Sequence, residues 1–278
     1  MRLVSFTVGE RESFGLLSGG GVVDLAQRTK HADLRTALRE LDKLQSHAGG
    51  TPDYRLEDVR FLPVIPNPSR ILCAGLNYLS HLNETRQPRP QRPIIFTRFA
   101  SSQVGHLDSL VRPKLSENFD FEGELAVIIG KPCRYVSRDD AFDVIAGYSC
   151  YNDGSIRDWQ QHSGQWIPGK NFPASGAFGP CLVTCDEVAD ITRSSLITRL
   201  NGEEVQRATI NDLMFDIPSL VAYCSSFTML DVGDVIVTGT TGGVGEARKP
   251  QLWMKPGDLI EVEIDGVGRL SNRVIAEQ

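Results

Sequence analysis

A chain of 278 residues, 41% hydrophobic and 23% charged, has the composition of a soluble globular protein with room for one large domain and a small one. A net charge of −6 without any run of basic residues excludes an electrostatic grip on nucleic acid or an anionic membrane; Arg86, Arg89 and Arg92 are the densest basic cluster. No stretch approaches the roughly eighteen uninterrupted apolar residues of a membrane span, and the first residues lack a long apolar core, which makes the cytoplasm the expected compartment.

From the N-terminus, short alternating runs predict strands over Leu3–Val8, Ser13–Leu17 and Val22–Leu25, with a hairpin turn at Ser18 to Gly21. A polar helical stretch follows through Leu34, Leu38, Leu41 and Leu44. Pro66 and Pro68 oppose both helix and central strand, so the segment from Val64 to Ser69 reads as a linker. The expected division is a small N-terminal domain with its linker over residues 1–66 and a larger domain over 67–278. In the larger part, strand-like runs recur at Arg70–Ala74, Ile94–Thr97, Leu125–Ile129, Leu196–Leu200, Val235–Thr238 and Leu259–Ile264. One helix is predicted where Pro218 suits a first turn and Ile217, Leu220, Val221, Cys224 and Phe227 keep the 3.6-residue period. Many strands and few helices predict a β-rich α+β fold. Six cysteines form no Cys-x-x-Cys pair and sit mostly among apolar neighbours, so buried thiols are expected rather than disulfides or zinc ligands.

Three acids carry the clearest chemical signal. If the segment from Glu122 to Ile129 is a strand, Glu122 and Glu124 point to one side, with Gly123 leaving backbone room between them. Burying two like charges at the head of an apolar run is costly unless a proton or a cation lies between them. Asp153, in a Gly-Ser turn some thirty residues on, would complete an oxygen half-shell of the kind Mg²⁺ or Mn²⁺ prefers. The plainer alternative is a wet edge strand with Asp153 as an Asx-turn residue.

The words around these acids settle more than the spacing does. Phe-Glu-Gly-Glu-Leu-Ala-Val-Ile-Ile-Gly-Lys (121–131), Tyr-Asn-Asp-Gly-Ser-Ile-Arg-Asp (151–158), Gly-Lys-Asn-Phe (169–172), Asn-Gly-Glu (201–203) and Gly-Asp-Val-Ile-Val-Thr-Gly-Thr (233–240) follow one another within a stretch from about Ile71 to Asn272. In order and content they resemble the motifs of the fumarylacetoacetate hydrolase family. The resemblance implies a mixed β-sandwich or β-roll behind a small N-terminal α+β domain, a homodimer, and a divalent ion, Mg²⁺ or Mn²⁺, on Glu122, Glu124 and Asp153. Gly75-Leu-Asn-Tyr-Leu-Ser-His81-Leu-Asn-Glu84 resembles the family's lid segment, in which a His–Glu pair works on water. On one helical turn His81 and Glu84 share a face, so the carboxylate can orient the ring. The Pro- and Arg-rich residues 85–93 suit a mobile lid.

Lys170 matches the family's lysine that reaches into the site, where a fixed charge would hold a carboxylate or stabilise an oxyanion; Asn171 and Pro173 depart from the family's Ser and Asp. Arg157 and Gln160 offer forked donors for an α-keto acid carboxylate, and Thr240 with its glycine-rich loop offers hydroxyl and N–H groups for the same anion. Asp158 is as well explained as a partner for Arg157. The expected activity is metal-dependent hydrolysis of a C–C bond in a small-molecule 2,4-diketo acid, of acylpyruvate or fumarylpyruvate type, through an enolate. Decarboxylation or isomerisation of a 2-oxo or 2-hydroxymuconate-type acid in aromatic catabolism is the alternative, and a non-enzymatic binding protein on the same fold is the third reading.

Overall fold

The strand Gly123–Ile129 is buried along its whole length and lies deep within the larger of two main sheets. In this computed structural model, which describes residues 1–47 and 49–278, the order across that sheet is Tyr54–Arg55, Gly21–Asp24, Arg11–Ser18, Arg2–Val8, Gly176–Thr184, Ile145–Asn152, Gly123–Ile129, Val235–Val237, Ile71–Gly75 and Ile94–Thr97. The N-terminal strands therefore extend the sheet directly: Leu3 of Arg2–Val8 lies opposite Leu182. A second sheet runs Glu203–Thr209, Ser195–Leu200, Leu259–Ile264, Gly268–Ala276 and Leu110–Arg112.

Alternation along the central strand explains how two cores form. Leu125, Val127 and Ile129 pack with Leu196, Leu200 and Val262 of the second sheet and with Leu220 of the helix Ile217–Phe227. Ala126 and Ile128 turn the other way, toward Leu3, Phe14, Leu34, Leu38 and Leu44 of the N-terminal part. A strand covered on both faces has no need of polar residues, which is why its sequence reads as an unbroken apolar run after Glu124. The fold is mixed α+β and rich in strands, as its composition of runs predicts.

The predicted strands form, Ile94–Thr97 and Leu259–Ile264 with the expected bounds and the others with ends shifted by one or two residues, Val235–Thr238 stopping at Val237. The helix over Ile217–Phe227 forms with Pro218 in its first turn as expected, and Asp216 caps it by accepting from the Ser219 N–H at 2.9 Å. The Leu34–Leu44 stretch is instead broken into short α and 3-10 turns. The linker lacks regular structure, yet Val64 and Ile65 are buried in the N-terminal core. Among the described residues all six cysteines are free thiols, five of them buried.

His106 gives the fold a pH dependence. Its ring meets Phe61 edge-on, its Nδ1 accepts the Ser271 N–H at 3.1 Å, and burial pushes its pKa down to about 4. The unfolded chain therefore binds a proton that the folded chain refuses, and stability falls as pH drops from 6.5 toward 4. At about 1.4 kcal/mol per pKa unit the loss is about 2–3 kcal/mol. His106→Asn, which keeps an acceptor and cannot titrate, should flatten the slope of urea-unfolding stability between pH 4.5 and 6.5. An unchanged slope would place the acid sensitivity elsewhere.

Candidate metal centre and catalytic dyad

Strand register brings the three acids together. Gly123–Ile129 pairs antiparallel with Ile145–Asn152, Gly123 opposite Asn152 and Glu124 opposite Tyr151. One step beyond, the Asp153 N–H donates to the Glu122 carbonyl at 2.9 Å, so Asp153 lies directly across from Glu122. Glu122, Glu124 and Asp153 are all buried and offer ligand atoms within 4.8 Å of one another. On the other flank Val235–Val237 runs antiparallel to the same strand and delivers the Gly239 N–H to Glu124 Oε2 at 2.6 Å.

Charge is distributed unevenly over this cluster. Lys170 Nζ donates to Glu122 Oε2 at 2.6 Å and Asp153 Oδ2 at 2.7 Å. Arg157 Nε donates to Asp120 Oδ2 at 2.8 Å, and its Nη2 lies 2.7 Å from Glu122 Oε1, an ion pair whose angle is too poor for a hydrogen bond. Arg98 Nη1 holds Asp153 Oδ1 at 2.5 Å. Burial pushes the Glu122 carboxyl up, but Lys170 and Arg157 outweigh it and hold its pKa at about 2. Burial likewise opposes the Lys170 ammonium, and Asp153 and Glu122 overcome that. Glu124 has no cationic partner among the described residues; burial, Asp153 and Glu122 raise its pKa well above the usual carboxylate range. A hard divalent cation would meet the one acid left without a counter-charge, and an all-oxygen donor set suits Mg²⁺ or Mn²⁺.

The dyad is positioned by the strand beside this flank. Ile71–Gly75 runs parallel to Val235–Val237 and leads into the helix Leu79–Glu84. His81 Nδ1 and Glu84 Oε1 are 2.8 Å apart. The second Glu84 oxygen accepts the Gly243 N–H at 2.8 Å, and Ser80 Oγ lies 3.0 Å from Thr241 Oγ1, so the helix is fastened to the loop that also contacts Glu124.

A cavity of about 480 Å³ joins these parts: His81, Glu84, Glu122, Glu124, Arg157, Gln160, Lys170 and Thr240 all line it. Eight of the nine site residues expected from sequence thus share one cavity, and the ninth, Asp153, lies behind Lys170. Thr240 spends its hydroxyl on the Gly123 carbonyl at 3.0 Å and accepts from Gln206 at 2.8 Å. Arg157 Nη1 donates to Gln160 Oε1 at 2.9 Å. Asp158 accepts from Ser116 Oγ at 2.6 Å, and Arg157 pairs with Asp120 and Glu246 as well as Glu122. Sequence reasoning missed Asp120, although the spacing Asp120, Glu122, Glu124 repeats every second residue. It also missed Arg98, Phe96 and Trp166, which carry no such signal. Lys170 Nζ lies 4.9 Å over the Phe96 ring, and Phe96 meets Trp166 edge-on at 5.4 Å.

Residues 70–275 match the family described as fumarylacetoacetate (FAA) hydrolase C-terminal. The chain belongs to the fumarylacetoacetate hydrolase family. It is 37% identical over 290 residues to the oxaloacetate tautomerase fahd2, mitochondrial, of Xenopus laevis, covering 99% of this chain and 90% of that one. Among solved structures it resembles maleylpyruvate hydrolase from Sphingobium sp. SYK-6, in complex with manganese (II) ion and pyruvate, at a TM-score of 0.84 and 29% identity over the full length of both chains. It also resembles 5-carboxymethyl-2-hydroxymuconate delta-isomerase from Mycobacterium smegmatis, at 0.80 and 29%, again over both full chains. Members of this family are enzymes, and the relatives named here include a tautomerase, a hydrolase and an isomerase. Among the described residues no helix is long and apolar enough to cross a membrane.

Proposed function

We propose that this chain is a Mg²⁺- or Mn²⁺-dependent enzyme that interconverts the keto and enol forms of a small 2-oxo diacid, with oxaloacetate as the first substrate to test. The observation that carries this reading is the His81–Glu84 pair in the same cavity as the acid cluster and Lys170. Similarity over almost the whole chain to an oxaloacetate tautomerase supports it. An ion held by Glu122, Glu124 and Asp153 would supply Lewis-acid stabilisation of the enolate oxygen. Glu84 orients His81 through Nδ1, which leaves Nε2 to take a proton from the carbon beside the keto group and return one to oxygen. Imidazolium formed in that step is balanced by Glu84, whose other oxygen is fixed by Gly243. Lys170 places a permanent positive charge beside the reacting oxygen. With its amide oxygen pinned by Arg157, Gln160 is left with its NH₂ as a donor for a substrate carboxylate, while the part of Thr240 falls to its main chain.

One observation favours a second reading, hydrolysis of a C–C bond in an acylpyruvate. A cavity of about 480 Å³ is roomier than a four-carbon acid requires. Likeness to maleylpyruvate hydrolase agrees with it. Following enol absorbance and pyruvate release in parallel, with oxaloacetate and with acylpyruvates, separates the two. Tautomerisation predicts rapid enol decay from oxaloacetate without pyruvate. Pyruvate released from acylpyruvates, with oxaloacetate equilibrating at its uncatalysed rate, would replace the first reading by the second. Pyruvate from oxaloacetate itself would mean decarboxylation.

A further inference from the structure

We infer that Arg98 is a positioning residue that sets the Asp153 carboxylate for ion binding, an assignment that rests on the metal reading above. Its side chain is fully buried and is absent from the cavity lining, so it lies behind the acids and does not reach substrate. Its donors are spent on one turn and its surroundings. Nη1 donates to Asp153 Oδ1 at 2.5 Å and to the Gly154 carbonyl at 2.9 Å; Nη2 donates to Ser175 Oγ at 2.6 Å, and Nε reaches Ser102 Oγ at 3.4 Å.

This geometry gives the two oxygens of Asp153 different surroundings. Oδ1 belongs to Arg98, whereas Oδ2 faces Lys170 on the cavity side. Nη1 alone grips both the carboxylate and the next peptide carbonyl while Ser175 holds Nη2, so the planar guanidinium is fixed in place and fixes the rotation of the Asp153 side chain, which a point charge such as lysine does less well. The backbone is shaped to admit the guanidinium. A Cβ on Gly176 would stand 2.8 Å from Arg98 Cζ, and one on Gly154 would meet the Ser175 carbonyl at 2.0 Å, so neither position tolerates a side chain without displacing the seat. Asp153 therefore arrives at the cluster already oriented, and the entropy of fixing it is not charged to ion binding.

Partners that orient a metal ligand are typically worth about 10–100-fold in affinity. Arg98→Met should therefore weaken Mn²⁺ binding by about that factor, read by calorimetry and by the electron paramagnetic resonance signal of free Mn²⁺. Arg98→Lys should recover part of the loss. Because Arg98 lies away from the cavity, kcat at saturating Mn²⁺ should stay near that of the unmutated protein. Unchanged Mn²⁺ affinity in a folded Arg98→Met protein, or a kcat loss that saturating Mn²⁺ does not repair, would overturn the assignment. If Arg98→Met does not fold, Arg98→Lys and Ser175→Ala decide: both should bind Mn²⁺ more weakly, and unchanged affinity in both would overturn it. No Mn²⁺ binding by the unmutated chain would overturn the metal reading and this assignment with it.

Discussion

Glu124→Gln is expected to fold, to stop binding a divalent ion and to lose metal-dependent turnover by about 10³-fold or more, the equivalent of several kcal/mol of Lewis-acid stabilisation. The amide keeps the shape of the side chain and an oxygen for the Gly239 N–H, so the backbone around it has no reason to move. What it removes is the one acid in the cluster without a cationic partner. The folded pKa of Glu124 lies above the ordinary glutamate value of 4.5, so in the ion-free protein its stability cost grows as pH rises past that value. The ion-free variant should consequently melt at or above the ion-free parent at pH 8. Adding Mn²⁺ reverses the order: the parent gains about 2.7 kcal/mol when the ion stands at 100 times its Kd, and the variant gains nothing. Thermal melts of both proteins with and without Mn²⁺ read all four states. An equal Mn²⁺ shift in the variant would remove Glu124 from the site.

How much of this was readable in the residues follows from how locally each feature is encoded. The run from Leu125 to Ile129 and the helix Ile217–Phe227 are written in short-range pattern, and both form. Ile145–Asn152 and Gly176–Thr184 are central strands of the same sheet, yet neither reads as one. The first mixes Gly147, Ser149 and Asn152 with apolar residues; the second contains Gly176, Gly179 and Pro180, which in isolation signal turns. Tertiary pairing on both sides overrides those local preferences. The broken helix at Leu34–Leu44 is the reverse case, where apolar spacing was present but Glu40 interrupts the backbone at φ −129° and ψ 39°.

At the site, the acids, the dyad and Lys170 were legible because each stands in a motif long enough to be distinctive. Their spatial relation was not. That Asp153 falls opposite Glu122 depends on strand register, and nothing between residues 123 and 152 announces it. Arg98 is invisible for a related reason: an arginine after Ile-Ile-Phe-Thr looks like any residue at the end of a strand, and only the fold puts it behind Asp153. The role of Thr240 is narrower than its sequence suggests, since Gln206 from a different sheet takes up its hydroxyl.

His81→Ala should separate binding from chemistry. If the ion site and Gln160 hold the 2-oxo acid end, the variant should still bind oxalate in the presence of Mg²⁺, because oxalate mimics an enolate and needs only the chelating end. Its kcat should fall by about 10²–10⁴-fold, the usual cost of losing a general base. Glu84→Gln sharpens the test. The amide oxygen can keep the Gly243 N–H, but its NH₂ then faces His81 Nδ1 and turns that nitrogen into an acceptor. The ring proton is forced onto Nε2, the atom that must accept, so Glu84→Gln should lose nearly as much activity as His81→Ala while leaving the cavity intact. Calorimetric titration with oxalate, alongside kcat for both variants, decides the matter. Loss of oxalate binding in His81→Ala would mean that the ring shapes the pocket or contacts the ion, and full activity in Glu84→Gln would remove the carboxylate from the proton path.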